Sequence, residues 1–277
     1  MISVAMATYN GEKYIFKQIE SILNQSVPVD EIVISDDGSY DRTIEILNTF
    51  HDDRIKIFHH TETLGYVKNF YEAISRTNGD IIFLADQDDI WELDKVSVLT
   101  TYIKRYGTAV MCSNFSLIDA DDCEIKDRSL FQMNPMLKHI KEGKTEISLN
   151  KLLFGNLVQG CTYCFTSDIK RLFIELHNTE VIHDYQIMLI AGVIGKVVFI
   201  NRPLIKYRIH SNNAVGFKIK NRKLEGIHRI SIEPFMVRFF RCLNEIVRVP
   251  HLWCIYILYY LRIPFLIAIV RRKVFGE

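Results

Sequence analysis

An α/β architecture, with a mostly parallel sheet covered by helices on both faces and a C-terminal helical appendage, is expected from three features of the 277 residues. The first half alternates short apolar runs with amphipathic segments, the pattern of strand–helix–strand units. The apolar runs end in polar, glycine-containing or acidic loops, as parallel strands do where a ligand binds beyond their carboxyl ends. After residue 217 the composition turns basic and, further on, strongly apolar.

The elements follow in order. Residues 2–7 (Ile-Ser-Val-Ala-Met-Ala) read as a strand. Tyr14, Ile15, Ile19, Ile22 and Leu23 recur at helical spacing. Residues 31–35 form a short strand, and Ile44, Ile46, Leu47 and Phe50 suit a helix with Asp41 as N-cap. Residues 54–58 alternate as a strand, 67–75 read as a helix, 80–85 as a buried strand and 93–106 as a helix. Residues 119–145 are charged and read as a loop excursion. Strand character resumes over 157–165, followed by helices at 167–177 and 183–194 and a short strand at 197–200.

Six scattered cysteines indicate reduced thiols rather than a disulfide framework. Cys161 and Cys164 form a lone CxxC without a second pair. It reads as an alternating strand, with Cys161, Tyr163 and Phe165 on one face, rather than as a zinc site. The chain starts directly on a strand-like run, so no signal peptide is expected and the location is cytoplasmic, at the inner face of the cell membrane. His59, His60 and His177 have no partner at metal-site spacing and read as surface residues.

A net charge of +1 conceals an asymmetry. From residue 218 onward twelve Lys/Arg stand against four Glu, so the body is acidic and the tail basic. That is no nucleic-acid footprint centred on the active region; the tail is expected to meet something anionic. Residues 252–270 carry one charge, Arg262, and reach the lower limit for a membrane span. Arg262 and Pro264 at its middle oppose a span, since a central Arg costs about 2.5–3.5 kcal/mol. A helix or helical hairpin lying in the membrane interface is expected, with a homodimer interface as the alternative. The division is therefore residues 1–216 as a catalytic domain and 217–277 as a membrane-surface or dimer-contact tail.

Three loops share one rim: Thr8-Tyr9-Asn10-Gly11-Glu12, Asp36-Asp37-Gly38-Ser39-Tyr40-Asp41 and Asp86-Gln87-Asp88-Asp89. Three carboxylates within four residues repel one another, and a divalent cation relieves that repulsion. Taken alone, the last loop also suits a helix N-cap. Its place on a rim with Asp37 favours the metal.

The order Thr8-Tyr9-Asn10, Ser35-Asp36-Asp37-Gly38-Ser39, Ala85-Asp86-Gln87-Asp88-Asp89 and His183-Asp184 resembles the inverting family 2 glycosyltransferases over residues 1 to about 216. Asp86-Gln87-Asp88-Asp89-Ile90-Trp91, His183-Asp184-Tyr185 and the run from Tyr207 through Gly216 are similar to bacterial rhamnosyltransferases of surface polysaccharide synthesis. The resemblance implies a GT-A fold, a nucleotide-sugar donor and a Mn²⁺ or Mg²⁺ cofactor. It implies that Asp36 or Asp37 accepts the imide N–H of a uracil or thymine, helped by Thr8, Tyr9 and Glu12. Asp88 would hold the metal directly, Asp86 would contact ribose or the metal, and His210 would add a ligand. Lys68 and Arg208 would face the diphosphate, and Asp184 would be the general base. Thr63 departs from the asparagine frequent in relatives and weakens any donor contact there. The first donor expected is dTDP-L-rhamnose, then a UDP-hexose or UDP-HexNAc, and the acceptor is a saccharide, in particular a lipid-linked one. Nucleotidyl transfer lacks its Gly/Lys-rich phosphate loop, and a catalytically inactive membrane scaffold is opposed by the intact Asp37, Asp88 and Asp184.

Overall fold

The computed structural model describes residues 1–107, 109–126, 143–153, 155–176, 178–179, 181–211, 217–220 and 223–226, all within one compact unit, Met1–His228. Of the tail expected at 217–277, residues 217–220 and 223–226 are described, and they are strands of the first unit rather than helix; the rest lies outside the described residues, as does His177. Among the described residues no helix is long and apolar enough to cross a membrane.

The first half forms as expected: β1 (Ile2–Thr8), α1 (Ile15–Leu23), β2 (Glu31–Asp36), α2 (Thr43–Asn48), β3 (Ile55–His59), α3 (Tyr66–Ser75) and β4 (Ile81–Ala85). These strands lie parallel in the order β3-β2-β1-β4. Their side chains are buried on both faces: Val4, Ala5 and Met6 in β1, Ile32, Val33 and Ile34 in β2, and Ile82, Phe83, Leu84 and Ala85 in β4. Such continuous apolar runs are what a strand between two helical layers requires. Helix α1 contributes Ile15, Ile19 and Ile22, and α3 contributes Phe70, Ala73 and Ile74.

The second half adds β5 (Ile90–Trp91), α4 (Lys95–Tyr106), β6 (Ala109–Ile118), β7 (Lys144–Ile147) and α5 (Leu149–Leu152). It continues through a 3₁₀ turn (Gly160–Thr162), β8 (Tyr163–Thr166), α6 (Ser167–Leu176), α7 (His183–Ile194) and β9 (Lys196–Arg208). Strand β8 runs antiparallel between β4 and β6, and β6 pairs parallel with β9. Strand β7 pairs with the first part of β9 and β5 with its second part. A separate hairpin joins β10 (Phe217–Lys220) to β11 (Lys223–Gly226).

Two expectations change. The strand expected over 157–165 begins only at Tyr163. Thr162 turns its N–H and hydroxyl back onto the Gln159 carbonyl, at 3.0 and 2.7 Å, and this local bonding competes with the ladder. Cys161 therefore sits in the turn rather than on a strand face. The short strand expected at 197–200 runs on to Arg208, through Pro203. Proline is tolerated there because the β6–β9 register slips between Ser113 and Ser116, opposite it.

At the edge opposite the acidic loops, buried Glu31 ties four segments together. It accepts the Ser3 hydroxyl at 2.6 Å, the Asn78 N–H at 2.5 Å and the Lys56 ammonium at 2.6 Å. Burial alone would raise its carboxyl, but these donors outweigh it and hold the group at about 2. A depressed folded-state value means the stabilisation is present above the ordinary carboxylate range and is lost as pH falls toward 2. Glu31→Ala leaves buried donors unmatched and is expected to lower stability by about 1–3 kcal/mol at pH 7. The difference from wild type should shrink in urea titrations between pH 4.5 and 2.

Candidate active site

Strands β1, β2 and β4 end level with one another: Thr8 lies beside Asp36, and Met6 beside Ala85. Parallel pairing therefore delivers the three polar loops to a single edge. Thr8 and Asp36 are turned toward each other. Asp36 accepts Thr8 Oγ1 at 2.7 Å, Ser39 N–H at 2.8 Å and Ser39 Oγ at 2.6 Å, and pairs with His59 Nδ1 at 2.8 Å. A carboxylate offers about four lone-pair sites, and these partners fill them. Burial pushes Asp36 up, and the hydrogen bonds carry it below the usual carboxylate value. His59 is exposed, as expected, and also braces this loop, and His60 meets Ser35 Oγ at 2.9 Å.

Asp37 is differently placed. Its two oxygens accept the N–H groups of Leu64 at 2.5 Å and Gly65 at 3.0 Å, leaving half its lone pairs uncommitted. Gly65 adopts φ 84°, a conformation that favours glycine, and this turn starts α3. Exposed Lys68 lies in the first turn of that helix. The Tyr9 ring is exposed and edge-on to Tyr40, 6.3 Å away. Its backbone is held by the Gln87 amide, which accepts Tyr9 N–H at 2.8 Å and donates to Tyr9 O at 3.0 Å. A side chain on Gly11 would meet Gln87 Oε1 at 2.4 Å, so glycine there keeps the link open. Glu12 accepts the Arg42 N–H at 3.1 Å and so faces α2.

The acidic loop spreads its three carboxylates in different directions. Asp88 Oδ2 meets His210 Nε2 at 2.7 Å, and the His210 ring packs on Tyr14. Asp89 is fully buried and accepts the Arg208 N–H at 2.9 Å. Asp86 is half-buried, its carboxyl pushed up to about 7 by burial and then by the charge of Asp88. Burial, and then the charges of Asp88 and Asp86, raise Asp89 well above the usual carboxylate range as well. Arg208 is buried, not surface-facing. Its guanidinium donates to Asp88 O at 2.6 Å and Asp119 O at 2.9 Å, pairs with Asp122 at 2.5 Å and lies over the Tyr14 ring. These contacts turn it toward the protein rather than toward a diphosphate.

Asp184 occupies the first turn of α7, a helix buried along most of its length. Asn156 Nδ2 donates to one oxygen at 2.8 Å and the Tyr185 N–H to the other at 2.7 Å. Gly160 allows the approach: a Cβ there would lie 3.1 Å from Asp184 Cβ. Burial pushes the Asp184 carboxyl up to about 6 against the pull of these donors. Its charge acts on both Asp86 and the Tyr66 phenol. The neighbouring His183 stacks on Phe70 at 3.9 Å, and burial lowers its imidazole to about 3, so it is neutral.

Two site residues escape motif reading. Lys95, on α4, is fully buried; its Nζ donates to Cys161 O at 2.5 Å and lies 3.8 Å from the centre of the Trp91 ring. The signal was helical spacing, since Lys95 precedes Leu99 and Ile103 by whole turns on the buried face. Asn156 carried no signal beyond its polarity. Among the described residues, the ligand atoms of Asp86, Asp89 and Cys161 lie within 4.8 Å of one another. The acid-rich loop is compatible with a divalent ion. The carboxylate–imidazole pair of Asp88 and His210 matches a hard-to-borderline cation, whereas the Cys161 thiol is held protonated by burial.

The glycosyl transferase family 2 model matches residues 3–173. The chain belongs to this family. Relatives include an uncharacterized glycosyltransferase of Rickettsia typhi, 26% identical over 76% of this chain and 64% of its own length. The dTDP-rhamnosyl transferase RfbG of Shigella flexneri is 29% identical over 79% of this chain and 78% of its own. The UDP-Glc:alpha-D-GlcNAc-diphosphoundecaprenol beta-1,3-glucosyltransferase WfgD of Escherichia coli is 24% identical over 89% and 92%. The chain thus spans just under two thirds of the Rickettsia protein. S. aureus TarS in complex with UDP superposes with TM-score 0.61 and 17% identity, covering 88% of this chain and 64% of that one. The fold is accordingly GT-A, as the motif order implied.

In this family 2 chain Arg208 carries the acidic loop. Arg208→Met should cost about 3–5 kcal/mol, the range for breaking a buried ion pair. Arg208→Lys should not restore it, because one ammonium lacks the planar fork that serves three acceptors. Urea midpoints of both variants check this.

Proposed function

We propose that the chain transfers a sugar, with inversion, from a nucleoside-diphosphate donor to a saccharide acceptor in bacterial surface-polysaccharide synthesis. The observation that carries this reading is Asp184: a buried carboxylate, oriented by Asn156 and raised to about 6, on the rim that holds Asp37, Asp86 and Asp88. The first donor is dTDP-L-rhamnose, supported by the name of RfbG; a UDP-hexose or UDP-HexNAc is second, supported by the name of WfgD. WfgD also supports a lipid-linked acceptor.

Asp37 has lone pairs left to accept the imide N–H of the base, and the exposed Tyr9 ring can stack on it. Thr8, Asp36 and Glu12 act behind this surface, holding the loops that carry Tyr9 and Asp37. Lys68 is exposed and free to swing toward phosphate. Asp88 and His210, with Asp86, would hold Mn²⁺ or Mg²⁺, and an imidazole ligand favours Mn²⁺. Such an ion supplies charge neutralisation for the departing diphosphate. Asp184 takes the proton of the acceptor hydroxyl as that oxygen attacks the anomeric carbon. An acceptor hydroxyl is a weak acid, so proton transfer accompanies bond formation. A single displacement with a single base inverts the centre and needs no second, nucleophilic carboxylate. The tail at 217–277 would bring the domain to the inner membrane face, where anionic lipid attracts about 1 kcal/mol per basic residue; a homodimer contact is its alternative role.

A donor panel of dTDP-rhamnose, UDP-glucose and UDP-GlcNAc with Mn²⁺ tests the activity, and transfer from none would contradict it. Asp184 must be ionised to act, so the rate should rise with pH through about 6. Asp184→Asn should lose about 10²–10⁴-fold in turnover while retaining Mn²⁺-dependent dTDP or UDP binding. Because the folded protein raises the Asp184 carboxyl, its ionisation opposes folding above the ordinary carboxylate range. The Asn variant should therefore melt no lower than wild type at pH 7. Undiminished turnover in that variant would remove Asp184 as the base.

A further inference from the structure

We infer that Tyr66 is the platform for the acceptor saccharide: its exposed ring, at the head of α3, stacks on the apolar face of a pyranose whose hydroxyl reaches Asp184. The inference deepens the transferase reading above, from which it takes Asp184 as the base.

Tyr66 is the first residue of α3 and follows directly on the turn that Asp37 holds through the Leu64 and Gly65 N–H groups. Helix residues three and four apart share a face, so Tyr66, Phe70 and Ala73 form one stripe. Phe70 is 6% exposed and Ala73 is fully buried, whereas Tyr66 is 39% exposed. The stripe is therefore packed along its length and open at its head. Phe70 stacks on His183 at 3.9 Å, and His183 directly precedes Asp184. Tyr66 stands one turn beyond that contact, and its phenol feels the Asp184 charge. Asp184 takes its donors from Asn156 and Tyr185 rather than from this hydroxyl. The ring thus joins the turn held by the nucleotide-side acid to the surroundings of the base.

A base must come within about 2.6–3.2 Å of the hydroxyl it deprotonates. The rest of the acceptor sugar then lies over the residues around Asp184. Asp184 itself is 6% exposed, and Gly160 packs against it on one side. Tyr66 supplies the exposed aromatic surface beside it. A pyranose carries C–H groups on its faces and hydroxyls around its rim. A flat ring buries such a face without stranding a hydroxyl against apolar surface, and the phenol tip is left to meet the rim. Burial and the Asp184 charge raise the phenol above its ordinary range, so it stays protonated and can donate.

Saturation-transfer NMR tests this without requiring turnover. The probes are the methyl α-glycosides of glucose, N-acetylglucosamine and rhamnose, each with Mn²⁺ and either UDP or dTDP. Saturation of the wild-type protein should reach the ring C–H protons of at least one glycoside. Tyr66→Phe should keep that signal. Tyr66→Ala should lose it, with affinity for the glycoside falling about tenfold, the scale of one aromatic stack. Calorimetry on the same proteins should show Mn²⁺-dependent UDP or dTDP binding unchanged in Tyr66→Ala, which also shows that the variant is folded. No transfer to any glycoside in wild type, an equal signal in Tyr66→Ala, or its loss from Tyr66→Phe would overturn the inference. A tenfold loss of nucleotide affinity in Tyr66→Ala would overturn it too, by placing the ring on the donor. Undiminished turnover in Asp184→Asn, with the Tyr66 variants behaving as stated, would remove the base and leave the platform standing.

Discussion

The carboxyl groups of Asp86, Asp88, Asp89 and Asp184 are gathered at one edge of the sheet, and the burial of Asp86, Asp89 and Asp184, with the charge of Asp88 beside the first two, is the constraint the surrounding structure must meet. Two buried cations answer it from behind. Lys95 reaches the Cys161 carbonyl from α4, and Arg208 reaches the Asp88 and Asp119 carbonyls from the end of β9. Each holds backbone oxygens as well as countering charge, so the loop is shaped by the same groups that make its acidity tolerable. Burial still leaves Asp86 at about 7 and Asp184 at about 6, values suited to groups that must exchange protons or await a cation.

On the nucleotide side, geometry is fixed by saturation. Asp36 spends all its acceptor capacity on Thr8, Ser39 and His59, which locks the ends of β1, β2 and β3 together. Asp37 spends half, on the turn that opens α3, and keeps half uncommitted although the side chain is buried. Adjacent acids in one motif thus divide into a brace and a contact. Gln87, between the two acids of the acid-x-acid motif, ties that loop to Tyr9. A shift of the acidic loop therefore reaches the surface expected to carry the base.

The parallel block was legible because each strand there is buried on both faces and each helix presents one apolar stripe. The rim followed from the order of the strands, whereas Asp184, which opens a helix, was singled out by the resemblance to the family. Other features were hidden by physics that a single chain does not display. Charged residues are ordinarily solvated, so nothing marked Arg208 for burial, and its partners lie about 90 and 120 residues away in sequence. His59 and His60 acquire partners only when β3 is laid beside β2. Cys161 was assigned to a strand because apolar periodicity continues through it, whereas the local bonds from Thr162 to Gln159 broke the ladder first. The strand expected only over 197–200 continues past Pro203 because the register on β6 slips opposite it.

The proposed division of labour is that Asp88 and His210 would hold the ion while Asp184, oriented by Asn156, would stand apart as the base. The most direct measurement is anomalous diffraction from crystals grown with Mn²⁺ and either dTDP or UDP. The account predicts a single manganese peak in contact with the Asp88 carboxylate and the His210 imidazole, with the Lys95 ammonium still on the Cys161 carbonyl. A peak enclosed by Asp86, Asp89 and Cys161, with Lys95 displaced, would contradict it.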